Sequence, residues 1–304
     1  MAQEKELEIE GGSLKYSLTD KGVIVVSASA AGLEMRIPGE IEEKPVIRLE
    51  KKALLSDKRL CILHLPDSLL EIGDWAFAYC SNLEQVFLPK RQLVLGKGIF
   101  KECYRLESIC PLEAGEIVPD REKEQAGKLL GAVPVKLEAD YLMTPENAGE
   151  TIWLSRFDER LSFFLEQPDE EGYVKQVYCG EEDIMSNLDL YLEERRRAKS
   201  RLCFLRLLNP INLSGEFRQE LSAYLREHTL GCQSQAAWEV VFGEHGSRQE
   251  YYAAFTEAGC LTAENYQGIL QDMGENYPEM KAYLMGYKTK YMESTDFFAE
   301  LSLD

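Results

Sequence analysis

Between residues 35 and 112 the apolar positions recur with a fixed step, unlike the short period of a helix or the simple alternation of a long strand. Laying Leu60 to Gln85 over Leu83 to Ser108 gives a register of 23 residues. Leu60, Leu83 and Leu106 coincide, as do Leu63, Val86 and Ile109; the pairs Leu65/Leu88, Leu70/Leu93, Ile72/Leu95, Gly73/Gly96, Phe77/Phe100 and Cys80/Cys103 follow. A fixed period of this size predicts a solenoid, whose single coil cannot bury its own apolar row and is stabilised only by stacking on a neighbour. The step reaches back to Leu49, Ala53 and Leu54. Pro38, however, precedes Pro66 by 28 residues, so the first coil carries an insertion between Glu40 and Pro45.

Within a coil, Leu60, Leu63 and Leu65 space out a short strand, Pro66 ends it, and Gly73 to Phe77 returns the chain. Ile62 and His64 then face outward, with Gln85 and Phe87 in the same places one coil later, so His64 and Phe87 are expected side by side. The array loses its grammar where Pro111 stands for Leu and Leu112 for Pro. With Pro119 and Pro134 in the charged stretch that follows, 113–135 reads as a connector.

From Leu137 onward the spacing turns helical. Helices are expected over Glu182 to Leu208, Gly215 to His228, Gln235 to Phe242, Gln249 to Ala258, Thr262 to Met273 and Pro278 to Tyr291. The first would bury a face made by Leu188, Tyr191, Leu192, Ala198, Leu202 and Leu205. Gly259 and Thr262 suit a helix end and a following cap, which predicts a tight helix pair.

The run from Leu65 to Leu83, with Ile72-Gly73, Ala76-Phe77 and Cys80, resembles the BspA-type leucine-rich repeat, and Gly12 to Val26 resembles the strands that often precede such repeats. The resemblance implies a protein-binding surface and, for many members, an exported adhesion role. Phe255 to Asn265 with Ala282 to Tyr287 is similar to ankyrin-type helix pairs, without their Thr-Pro-Leu-His signature. The fold class expected is therefore α+β multidomain: capping strands over 1–34, about three repeat coils over 35–112, the connector over 113–135, and an all-α, solenoid-like domain over 136–304.

Composition narrows the functional classes. Hydrophobic residues make up 45% and charged residues 29%, which suits a globular chain. The net charge of -19 repels nucleic acid and anionic lipid. No stretch reaches the length of a membrane span, and Met1 to Glu10 has no basic segment leading into an apolar run. A cytoplasmic location with reduced thiols is the expectation, since none of the eight cysteines forms a CxxC pair.

Candidate chemistry is sparse. Neither His64 nor His228 has a catalytic setting, and His245 is expected to pack beside Trp238, Val241 and Phe242. Glu181, Glu182 and Asp183 read as helix-start charges. The basic run Arg195, Arg196, Arg197, Lys199 and Arg201 reads as a solvated face paired with Glu193 and Glu194. Cys80 and Cys103 read as core filling. No cofactor or metal is expected. The leading expectation is a non-enzymatic intracellular module that binds an unidentified protein through Ile62, His64, Gln85 and Phe87. Two alternatives stand beside it: an exported adhesion protein, and an enzyme using carboxylates such as Asp158, Glu182 or Asp183.

Overall fold

The computed structural model describes residues 4–116, 118–169, 188–232 and 235–292, and the chain divides into two compact units, 1–161 and 162–304. The first unit is a β-solenoid of about four turns closed at both ends. Its leading strands β1 (Lys5–Ile9), β2 (Gly12–Leu18) and β3 (Val23–Ala30) form an antiparallel meander, and β3 pairs in parallel with β6 (Lys44–Leu49). From there the chain winds. One sheet runs β11-β9-β7-β4, using β4 (Glu34–Arg36), β7 (Ile62–His64), β9 (Gln85–Pro89) and β11 (Ser108–Leu112). The other continues from β6 to β8 (Glu71–Ile72) and β10 (Val94–Leu95).

The 23-residue step is the strand register. Leu63 pairs with Val86 and Val86 with Ile109, all three fully buried, while Leu49, Ile72 and Leu95 align in the second sheet. Phe77 and Phe100 lie in contact with ring centroids 5.3 Å apart. The pairs Ile72-Gly73 and Leu95-Gly96 recur for a steric reason: a Cβ on Gly73 would lie 2.5 Å from Lys51 N, and one on Gly96 2.4 Å from Asp74 N. Only glycine lets successive coils approach that closely. The insertion in the first coil is a tight hairpin between β5 (Glu40–Ile41) and β6, turning through Glu42 and Glu43 at positive φ.

Pro111 and Leu112, where the repeat loses its grammar, still lie in a strand. Strand β11 keeps its register with β9 through Pro111 and Leu112, opposite Leu88 and Pro89. It is the edge strand of its sheet, where a residue without an N–H costs least.

The stretch read as a connector carries a helix, α1 (Arg121–Ala132), capped by the Asp120 carboxylate, which accepts from Lys123 N. This helix covers β11, all five of whose residues are buried. Gly127 and Gly131, one helical turn apart, make the approach possible: added Cβ atoms would sit 2.6 Å from Cys110 Sγ and 2.8 Å from Ser108 Cα. A solenoid needs such a lid, because the last coil otherwise exposes apolar surface and an unpaired strand edge. Gly131→Ala should therefore lower stability by about 1–3 kcal/mol through overpacking, although in an exposed helix the same change would raise it. Urea unfolding with hydrogen exchange of peptides from 108–132 checks the sign. Next along unit 1 comes α2 (Thr151–Glu166), which buries Trp153, Leu154, Phe157 and Leu161.

The second unit is helical: α3 (Leu188–Leu208), α4 (Gly215–Glu227), α5 (Ala236–Trp238, continued by a wider turn to Glu244), α6 (Gln249–Glu257), α7 (Tyr266–Met273) and α8 (Pro278–Tyr287). Helix α3 packs on α4, α5 and α6. Its buried face departs from the expected stripe. Tyr191 is exposed and Leu205 half-buried, whereas Cys203, Phe204 and Leu207 are buried together with Lys199 and Arg206. The basic heads are held by oxygens, Arg206 donating to Asn209 O at 2.6 Å and Ile211 O at 3.0 Å, which lets long polar stems fill apolar space. Gly259 takes the left-handed conformation (φ +76) that ends α6, and Thr262 forms a reciprocal turn with Asn265 before α7 starts.

Candidate functional site

Alternation along the short strands puts Arg36, His64 and Phe87 in one row across β4, β7 and β9, with Glu34, Ile62 and Gln85 in the next. His64 and Phe87 stack as expected, centroids 4.5 Å apart and planes 10° from parallel. All four residues singled out in the sequence, Ile62, His64, Gln85 and Phe87, are half-buried. One strand further on, the positions equivalent to Gln85 and Phe87 are Ser108 and Cys110, which lie buried beneath α1. Helix α1 thus ends the open row at β9, and it was the element that outward-facing alternation alone did not foresee. The signal for it was the Gly127-x-x-x-Gly131 spacing after an Asp120 cap.

Charge accompanies this row. Glu34 Oε1 lies 3.0 Å from His64 Nε2 and accepts from Arg36 Nη2 at 2.6 Å. Burial holds the His64 imidazole below its ordinary value of 6.5, Arg36 pushes the same way, and Glu34 opposes both. The sign of the linkage follows. The unfolded chain takes up this proton at higher pH than the folded one, so stability is fully present above 6.5 and declines as pH falls below it. Between about pH 8 and about pH 5 the urea midpoint should drop, and His64→Gln should flatten part of that slope; identical slopes would mean that His64 does not contribute.

Thiols in the coil interior are inert. Cys80 Sγ donates to Leu54 O and Cys103 Sγ to Phe77 O, each at 3.1 Å, and burial pushes their pKa values up to about 11 and about 12. Each thiol thus bonds a carbonyl of the preceding coil. The seven described cysteines are free thiols.

The basic run on α3 is engaged rather than solvated. Lys199 is 1% exposed and donates to Asp169 Oδ2 at 2.9 Å, Leu165 O at 3.0 Å and Gln167 O at 2.5 Å. Arg195 and Arg196 reach Gln167 Oε1 and Asp169 O, and Arg201 bonds Glu244 and Glu194. Arg197 keeps the expected partner four residues back, Glu193 at 3.6 Å, and Arg201 shares Glu194. His228 stacks on Tyr224 and donates from Nδ1 to Tyr224 O at 2.9 Å, and His245 stacks on Tyr251 with ring centroids 3.7 Å apart. Of the carboxylates considered for catalysis, Asp158 is half-buried on α2, while Glu181, Glu182 and Asp183 lie outside the described residues. Among the described residues no helix is long and apolar enough to cross a membrane.

The family model described as BspA type leucine rich repeat region matches residues 40–116 in six copies. No curated protein matches the chain significantly. Among solved structures, a leucine rich cell surface protein from Faecalibacterium prausnitzii A2-165 is 19% identical over 36% of this chain and 30% of its own, with a TM-score of 0.29. A leucine-rich repeat protein from Bacteroides capillosus ATCC 29799 is 21% identical over 39% of this chain and 91% of its own, TM-score 0.31. The leucine rich repeat protein of T. pallidum is 22% identical over 34% of this chain and 71% of its own, TM-score 0.25.

Proposed function

We propose that residues 40–116, a BspA-type leucine-rich repeat region, serve a non-enzymatic protein-protein interaction, and that the partner docks on Ile62, His64, Gln85 and Phe87. One observation carries this reading: the stacked His64–Phe87 pair stands half-buried in one row of the sheet, its place fixed by strand register. An aromatic anchor held in place before binding loses little side-chain entropy on contact, which is the property of an interface hot spot. The half-burial of the four side chains suits a shallow groove, bounded on the β11 side by α1.

An intracellular setting fits the free thiols in the described residues, since exported proteins commonly oxidise theirs. The exported-adhesion alternative predicts a mass change on reduction. The docking face is tested by affinity capture from the native cell with mass-spectrometric identification. The unaltered chain should retain a defined protein, and the pair His64→Asp and Phe87→Asp should lose it while circular dichroism stays unchanged. A retained set indifferent to both substitutions would remove this face.

A further inference from the structure

A second surface lies on the turns that carry the chain from β8 to β9 and their counterparts in the neighbouring coils. Here the 23-residue step repeats a backbone conformation instead of a side-chain type. Lys52, Trp75 and Gly98 all have left-handed φ (62°, 57° and 58°), and so do Ser56, Tyr79 and Glu102 (61°, 63° and 62°). Each rung bonds the next: Lys52 N donates to Asp74 O, Trp75 N to Lys97 O, and Tyr79 N to Lys101 O. With the backbone so occupied, the side chains at these rungs project as a ladder.

What they project is unusual for this chain. Lys52 Nζ sits over the Trp75 ring at 5.3 Å, and Trp75 lies above Gly98, whose missing side chain makes room for the indole. Tyr104 is 69% exposed and Tyr79 40% exposed. Turns 51–59, 74–82 and 97–105 hold seven Lys and Arg against three Asp and Glu, in a protein whose net charge is -19. All three acids are engaged internally, Glu102 by the Tyr104 hydroxyl. Asp57 accepts from Ala30 N, Arg59 N and Leu60 N, and Asp74 accepts from Lys97 N. The seven basic side chains are all exposed.

We propose that this ladder is a binding site for a short acidic peptide segment bearing apolar side chains. The basic rungs would meet its carboxylates, and Trp75, Tyr79 and Tyr104 would meet its apolar groups. Size favours a short segment over a long polyanion. Three coils span about 10 Å at the spacing of paired strands, so nucleic acid or an acidic glycan would overrun the patch onto the acidic remainder of the molecule, within reach of its repulsion.

The chain carries its own reporter. Trp75 is 41% exposed, while Trp153 and Trp238, the other two tryptophans, are 4% and 1% exposed. The full-length protein is titrated with a random glutamate–tyrosine copolymer, exciting only tryptophan. A saturable change in Trp75 emission is expected, weakened about tenfold or more between about 50 mM and about 300 mM salt. The pair Lys52→Glu and Lys101→Glu should weaken it by about tenfold or more with the unfolding midpoint unchanged; Lys51→Glu with Lys97→Glu serves as an independent second variant. His64→Asp with Phe87→Asp should leave this titration as it was, which separates the two surfaces. The proposal is overturned by no saturable change, by indifference to both lysine pairs, or by tighter binding of oligothymidylate or heparin than of the copolymer. Self-association of the unaltered chain that the lysine pairs abolish would overturn it too, assigning the ladder to a second copy.

Discussion

Replacing Phe77 with alanine is expected to lower the stability of the repeat unit by about 3–5 kcal/mol, and Phe100→Ala by a similar amount. Both rings are buried to 1% exposure or less, and each coil supplies one wall of the other's pocket. A coil cannot close over the void, because its neighbours fix the strand spacing on both sides. The loss should show in the unfolding midpoint of a Trp153→Phe, Trp238→Phe background, which leaves Trp75 as the probe within the coils. Peptides from 35–112 should gain hydrogen exchange together, since a solenoid is stabilised through contacts between neighbouring repeats. Loss confined to the altered coil would mean that the coils hold their shape separately.

The second large effect belongs to the helical unit. Lys199 is buried on α3 and its ammonium bonds one carboxylate and two carbonyls. Burial holds its pKa below the ordinary lysine value, against the pull of Asp169; burial acts to raise the Asp169 carboxyl, but Lys199, His228 and Arg196 together hold it below the ordinary aspartate value. Lys199→Met preserves the stem and deletes the charge. Among the described residues Asp169 then keeps the Tyr224 hydroxyl at 3.3 Å, Arg196 at 3.9 Å and His228 Nε2 at 4.0 Å as close partners, and the carbonyls of Leu165 and Gln167 lose their donor. A cost of about 3 kcal/mol is expected, at the lower end for breaking a buried pair because those contacts remain. Adding Asp169→Asn should recover part of it. Trp238 emission in a Trp75→Phe, Trp153→Phe background reads this unit, and an unchanged midpoint would show that the pair contributes nothing net.

Much of the first unit was legible because its determinant is chemical identity at a fixed step. Leu63, Val86 and Ile109 are apolar in the sequence and stacked in the fold, and the adjacency of His64 and Phe87 follows from parity along a strand. Legibility failed where geometry repeats but chemistry does not. Lys52, Trp75 and Gly98 share a backbone conformation that no comparison of side chains would align. It failed again at α1, where flanking prolines and charges concealed a helix that sets Gly127 and Gly131 against β11 and buries Ala126, Leu129 and Leu130. In the helical unit the spacing located the helices, but their faces were misread at α3, since Lys199 and Arg206 are buried only because carbonyls outside the helical ladder accept from them. The adjacency of His64 and Phe87 was therefore legible, and the covering of β11 by α1 was not.

Interdependence of the coils is what lets the surface above them be rigid. A double-mutant cycle between Phe77 and Phe100 measures it directly: unfolding free energies of the two alanine variants and of the double variant, set against the unaltered chain. Mutual support predicts that the double variant loses less than the two single losses combined, with a coupling of about 1 kcal/mol or more between the rings. Losses that add to within about 0.3–0.5 kcal/mol would contradict it, leaving coils that merely adjoin.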